Sequence, residues 1–378
     1  MTEIAPRPLA ELTTLRVGGT PERMIEARTR DELVDALQDA WAAGEPWMVV
    51  GGGSNLLVGD EPVEGVVILV RTTGIEVLPG VQGGRRRLRV EAGHDWDALV
   101  AYTVEQGLAG VEAMSGIPGT AGAAPIQNVG AYGQEIVETL VDVELLDEAT
   151  GEIETVPAAD LELGFRTSVL KQHYGQGARR SGVILSLTLE LEEVGHGVFP
   201  VRGTQLRQAL GMDAGAAATL ADIRSTVLAT RARKGMVLDD ADPDTYSAGS
   251  FFQNAVVSAA FARTLPAECP RWPMAPVIDQ TRIIPLAAYD GVVAPPVSVQ
   301  PDVKVSAAWL IEHAGLGKGF HLPRSRAGLS TKHALALTNR GHATAGEVAE
   351  LARYIQQRVQ AEFGLILQPE PVLVGVEL

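Results

Sequence analysis

The chain has 378 residues, a formal net charge of −16, 46% hydrophobic and 21% charged residues. That length exceeds one hydrophobic core, so two or three domains sharing a site are expected, and the acidic balance excludes the basic face that nucleic-acid binding needs. A single cysteine, Cys269, excludes an internal disulfide; with neither a signal-like N-terminus nor an apolar run of bilayer-spanning length, a cytoplasmic protein is expected.

In chain order, residues 23–27 read as a strand, 29–43 as a helix opened by Thr29 or Asp31, and 47–50 as a strand running into a Gly-rich loop. Strands at 66–70, 74–78 and 88–92 follow, with Arg85, Arg86 and Arg87 on one arm of a hairpin, and 96–106 has helical spacing. Residues 110–133 are dense in Gly, Ala and Pro without a period, the signature of a long functional loop. Strands at 141–146 and 183–191 flank the segment 163–171, and a helix at 219–234 closes that region. The last third holds 249–257, a Pro-rich stretch 269–301 that reads as a variable loop or insertion, helices at 306–314 and 345–363, and a strand at 365–378 interrupted by Pro369 and Pro371. No solenoid repeat or heptad run is present.

Three consecutive glycines, Gly51, Gly52 and Gly53, follow a buried strand, where backbone N–H groups can approach an anion such as a pyrophosphate. Leu56 stands where a dinucleotide fingerprint needs its third Gly, so the loop is either an anion cradle or an ordinary turn. The loop 113–136 repeats the chemistry, with Gly116, Gly119 and Gly122 three apart and Ser115, Thr120, Gln127 and Asn128 as donors. Two such loops suggest one large ligand. Arg166, in 165–171, offers a planar fork for a carboxylate or a surface ion pair. Ser250, after Gly249 and before Phe251 and Phe252, sits in no G-x-S-x-G elbow, which leaves proton donation rather than acyl transfer. Glu370, between two prolines, is either its partner or a solvated carboxylate. The seven histidines show no metal-ligand spacing, so no metal is expected. Cys269 reads as a bystander thiol.

The segments GGGSNLL (51–57), SGIPGTAGAAPIQNVGAYGQE (115–135), FRTSVLK (165–171), AGSFFQN (248–254) and PEPVLVG (369–375), in this order, closely resemble the UDP-N-acetylenolpyruvoylglucosamine reductase family from residue 12 to 375. The resemblance implies an α+β chain of three domains. Two form an FAD-binding unit of the vanillyl-alcohol-oxidase (PCMH) type, at 1–72 and 73–236, and the third, 237–367, is a substrate-binding α/β domain. Residues 368–378 return to the active site. It implies FAD contacts from Gly51, Gly52, Gly53, Ser54, Asn55, Leu56, Ser115, Gly116, Ile117, Gly119, Thr120, Gly122, Ala123 and Asn128, with Val183 and Arg231 as further flavin neighbours. It implies substrate contacts from Tyr132, Lys234, Asn254 and Lys304. The catalytic group it implies is Ser250 as proton donor with Arg166 and Glu370 as electrostatic partners, and NADPH as hydride source.

The enzyme so implied reduces UDP-N-acetylglucosamine enolpyruvate to UDP-N-acetylmuramate for the cell wall, a monomer acting on small molecules, with neither nucleic acid nor membrane as partner. Gln253 replaces the family's Lys, and Gly203 stands where one subclass has a substrate-covering Tyr, leaving Tyr246 and Arg202 as candidates to clamp the nucleotide. Another oxidase of the same FAD fold would need the Gly loops but not Ser250 and Glu370. A flavin-binding protein without catalysis would need none of the three catalytic side chains.

Overall fold

The computed structural model describes residues 2–81, 83–274 and 301–378. Its first sheet runs in the order Thr2–Ile4, Pro21–Ala27, Val63–Val70, Trp47–Val50, the outer Thr2–Ile4 pairing antiparallel and the rest parallel. The helix Arg30–Ala43 starts where local chemistry favours it. The Thr29 hydroxyl accepts from the Glu32 N–H while the Glu32 carboxylate accepts from the Thr29 N–H, and Gly44 in the left-handed region closes the other end. Of the two openings expected from the sequence, Thr29 is the one used.

That helix buries Leu33, Ala36, Leu37 and Ala40 against Ile25, Ile68 and Val70 of the first sheet and against Leu146, Val183 and Leu185 of the second. One core thus spans both sheets, and each leucine so buried contributes about 1.5–3 kcal/mol. The second sheet is antiparallel, ordered Ile153–Pro157, Leu140–Asp147, Gly182–Glu193, Arg85–Glu91, Ile75–Leu78. Its hairpin strand carries the three arginines, which pair across the ladder: Arg85 and Arg87 with Glu190, Arg86 with Glu193. The helix Trp96–Glu105 is capped by Asp95, and the helix Leu220–Arg233 by Thr219.

The last third packs a small sheet, Ala255–Val257, Val303–Val305, Arg271–Pro273, and the helices Ala307–His313 and Ala345–Phe363 around Phe251, Phe252, Leu310, Leu351 and Ile355. Leu15, Val17 and Leu57 enter the same core, tying it to the N-terminal part. Most of the Pro-rich stretch expected as an insertion, 275–300, lies outside the described residues. The strand expected at 365–378 shrinks to Val372–Val374, because neither Pro369 nor Pro371 can donate to a ladder. It pairs in parallel with Leu56–Val58, a strand the sequence had not suggested, directly after the triple-glycine loop. The loop 110–133 is punctuated by single turns of 3-10 helix at Glu112–Met114, Ala121–Ala123 and Pro125–Gln127. No helix among the described residues is long and apolar enough to cross a membrane.

Candidate active site

A cavity of about 630 Å³ opens where the two glycine loops, the second sheet and the C-terminal segment meet. Residues 51–56 form one wall, and Ile117, Gly119, Thr120, Gly122 and Ala123 form the facing one, with Val183 from the long strand beneath. The loops touch backbone to backbone. A Cβ on Gly52 would lie 2.6 Å from Gly119 Cα, one on Gly51 2.3 Å from Thr120 Oγ1, and one on Gly122 2.5 Å from Ala92 Cβ. Ser54 Oγ donates to the Pro118 carbonyl at 2.8 Å, and Arg71, just after the strand Val63–Val70, donates to the Gly51 carbonyl at 2.9 Å. The N–H groups of Gly52 and Gly53 make no hydrogen bond among the described residues. Such N–H groups beside a cavity suit an anionic group, so the loops fit the diphosphate of a dinucleotide cofactor.

Arg231 is a second group that fits an anionic ligand. It lines the cavity, is 9% exposed, and gives one guanidinium nitrogen to the Met236 carbonyl at 2.9 Å, yet its Nε is buried without a partner. Burial holds its pKa below the ordinary arginine value. Asp97 steadies the same corner: its carboxylate takes Arg224 at 2.6 and 2.9 Å and the Gly116 N–H at 2.6 Å.

Ser250, Arg166 and Glu370 line the same cavity. Arg166 occupies the left-handed region (φ 54°) in a tight turn closed by the Gly164–Thr167 bridge. Its Nε lies 3.1 Å from Glu370 Oε1, and its Nη2 donates to the Gly130 carbonyl at 3.1 Å. Desolvation pushes the Glu370 carboxyl above the usual carboxylate range, against the pull of Arg166 and Lys171. Glu370 is placed by its backbone, whose N–H donates to the Phe251 carbonyl at 2.8 Å, one residue from Ser250. The Ser250 hydroxyl makes no hydrogen bond among the described residues, half-buried beside two phenylalanines that anchor its loop in the core.

Other residues singled out in the sequence lie elsewhere. Ser115 is fully buried and donates to the Glu112 carbonyl, and Gly116 lies behind the cavity wall, held by Asp97 and Arg231. Asn128 (φ 46°) spends its amide on Glu135 and the Gly164 carbonyl, shaping the turn that carries Arg166. Asn254 Oδ1 accepts from the Ala307 N–H at 3.0 Å and so caps a helix. Lys304 Nζ sits 4.6 Å over the Phe165 ring, beside Arg166 in sequence, and Lys234 Nζ lies 6.0 Å from the Tyr132 ring, outside the cavity wall. Arg202 is an exposed partner of Glu192, and Tyr246 stacks under Arg16 at 3.6 Å. Among the described residues no cluster could hold a metal ion. Sequence reasoning passed over Lys171, which is 3% exposed and lines the cavity beside Gln127 and Glu370.

Residues 21–157 match a family described as an FAD binding domain, and residues 242–374 match the C-terminal domain of UDP-N-acetylenolpyruvoylglucosamine reductase. The UDP-N-acetylenolpyruvoylglucosamine reductase of Leifsonia xyli subsp. xyli is 50% identical, the alignment covering 99% of each chain. That of Mycobacterium ulcerans is 44% identical, over 98% of this chain and 95% of its own. The crystal structure of the UDP-N-acetylenolpyruvylglucosamine reductase (MurB) from Thermus caldophilus superposes with a TM-score of 0.60 at 26% identity, covering 98% of both chains.

Proposed function

The chain belongs to the UDP-N-acetylenolpyruvoylglucosamine reductase family, and from that premise we propose how its cavity performs the reaction. It is an oxidoreductase of peptidoglycan-precursor synthesis, with an α+β fold that includes an FAD-binding domain. We assign the hydride source to NADPH and the substrate to UDP-N-acetylglucosamine enolpyruvate, reduced in the cytoplasm by a monomer. The division into 1–72, 73–236 and 237–367 is part of the same reading, with 368–378 returning to the site.

FAD, when bound, supplies the relay that accepts a hydride from NADPH and passes it to C3 of the enolpyruvyl ether. The glycine loops 51–56 and 117–123 would hold its diphosphate, and the orphaned Arg231 Nε would donate to it. Arg166 is aimed at the carboxylate toward which charge moves as C3 gains its hydride, so its guanidinium stabilises the enolate-like state more than the starting ether. Glu370, whose carboxyl burial holds above the usual carboxylate range, hydrogen-bonds that state. Ser250 delivers its hydroxyl proton to C2, completing the addition of one hydride and one proton across the double bond. Lys234, Asn254, Lys304 and Tyr132 belong to the outer substrate region, where Asn254 acts through the helix it caps.

The observation that carries this reading is the 3.1 Å Arg166–Glu370 pair in one cavity with the unbonded Ser250 hydroxyl and the two glycine cradles. Purified protein should be yellow and should oxidise NADPH only when UDP-N-acetylglucosamine enolpyruvate is present. Substrate-independent oxidation at the same rate, or a colourless protein after saturation with FAD, would refute it.

A further inference from the structure

Lysine is seldom fully buried unless it is paired with an opposite charge. Lys171 is 3% exposed and makes no ion pair among the described residues. Its ammonium instead donates to two neutral oxygens, the Gln127 side-chain carbonyl at 3.1 Å and the Glu370 main-chain carbonyl at 2.9 Å. Asn55 Nδ2 reaches the same two acceptors, at 2.9 and 3.5 Å. Four segments therefore meet at these two oxygens: the triple-glycine loop, the second glycine loop, the FRTSVLK segment and the C-terminal segment.

The two prolines around Glu370 explain why this junction matters. Neither Pro369 nor Pro371 has an N–H, so this stretch is anchored by the Glu370 N–H on the Phe251 carbonyl and by the Glu370 carbonyl on Lys171. Fixing the N–H and the carbonyl of one residue fixes the direction of its Cβ, and here that direction carries the carboxyl to Arg166. A neutral side chain of the same length would fill the space without the desolvation cost of a charge.

We propose that Lys171 is a positioning residue for the reduction: by holding the Glu370 carbonyl against Gln127, it sets the Glu370 carboxyl on Arg166. This rests on the reading of the cavity given above. The charged and titratable groups around the ammonium are the Glu370 carboxylate, the Arg166 guanidinium and the His173 imidazole, while the two glycine loops contribute only the neutral Asn55 and Gln127. Burial lowers the Lys171 pKa to about 8, so the charge is lost just above neutrality.

The test compares wild type, Lys171→Met and Lys171→Arg as FAD-loaded proteins, following flavin reduction by NADPH and flavin reoxidation by the enolpyruvyl substrate separately. Lys171→Met should leave reduction unchanged and slow reoxidation about 10²-fold, the usual cost of a misplaced catalytic group, and Lys171→Arg should restore most of the loss. Wild-type reoxidation should fall above about pH 8; Lys171→Arg should carry that limb upward, since a guanidinium stays protonated, and Lys171→Met should lack it.

A second readout needs no substrate. The Glu370 carboxyl stretch in infrared difference spectra, assigned with Glu370→Gln, should titrate higher in Lys171→Met once the neighbouring cation is gone. Unchanged reoxidation with an unmoved Glu370 midpoint overturns the proposal. If wild type reoxidises without regard to the substrate, the functional reading falls and the infrared shift alone decides the role of Lys171. Should Lys171→Met fail to fold, the Lys171 resonance of the wild type, assigned with Lys171→Arg, must titrate with the alkaline limb, and a mismatch overturns the proposal.

Discussion

Gly52→Ala tests the cradle most directly. The added Cβ would stand 2.6 Å from Gly119 Cα, whereas carbon atoms rest at about 3.5–4.0 Å, so roughly 1 Å of overlap must be relieved. Neither loop yields cheaply. Gly119 is held by the Trp96 N–H on its carbonyl at 3.1 Å, and the next residues by Ala121 N–H on His94 and Gly122 N–H on Ala92, both 2.8 Å. Ser54 ties the loops together through Pro118. Relief must therefore spread the two walls that face the FAD site, and overpacking of this kind costs about 1–3 kcal/mol. Expressed as affinity, that is about 5- to 150-fold weaker FAD binding, measured by calorimetric titration of FAD into stripped protein. Gly177→Ala is the control, because its Cβ meets nothing within 4 Å. Gly52→Ala binding FAD as tightly as the control, with the same thermal midpoint, would refute the argument.

Ser250→Ala removes one unbonded oxygen and should leave flavin reduction by NADPH intact while slowing reoxidation by the substrate about 10²- to 10⁴-fold, the range for a lost general acid; equal loss of both half-reactions in stopped-flow traces would remove Ser250 from its role. Burial among Lys234, Lys318 and Arg231 pushes the His333 pKa down to about 4, so the folded state keeps this imidazole neutral where the unfolded chain would protonate it. The stability this gives is complete above about pH 6.5 and is lost as pH falls toward 4, about 3 kcal/mol in all. Urea denaturation across that window should show His333→Gln with a flatter profile than wild type, and parallel profiles would deny His333 the effect.

What the sequence made legible was local. Thr29 with Glu32 three residues on is a complete helix signal within four residues, and the helix Ala345–Phe363 has the bounds its apolar period suggested. The meeting of Ser250, Arg166 and Glu370 was not legible in that way, since each has an ordinary reading and only their order within the family's motifs suggested a shared task. Lys171 shows the limit most clearly. After Val169 and Leu170 it looks like a lysine ending an apolar run, and its partners lie 44 and 199 residues away. Asn128 and Asn254 show the converse. Their motifs suggest ligand contacts, yet their amides are committed to turns and caps whose other halves are invisible in one dimension. The triple glycine combined both kinds of information: its freedom was readable, but the close approach of Gly119 that demands it was not.

Arg166 and Lys171 bring two positive charges to the single carboxylate of Glu370, so the site carries an excess cation that a substrate carboxylate can neutralise. An incoming carboxylate that takes the Arg166 fork weakens the pull holding the Glu370 proton away, and a carboxyl already raised by burial then rises further. Substrate binding to the oxidised holoprotein, with NADPH absent, should thus take up protons. Mixing in weak buffer with a pH indicator measures this directly. Uptake should vanish in Glu370→Gln, and proton release on binding, or uptake that persists in that variant, would mean that Glu370 does not serve as the hydrogen-bond donor the reduction requires.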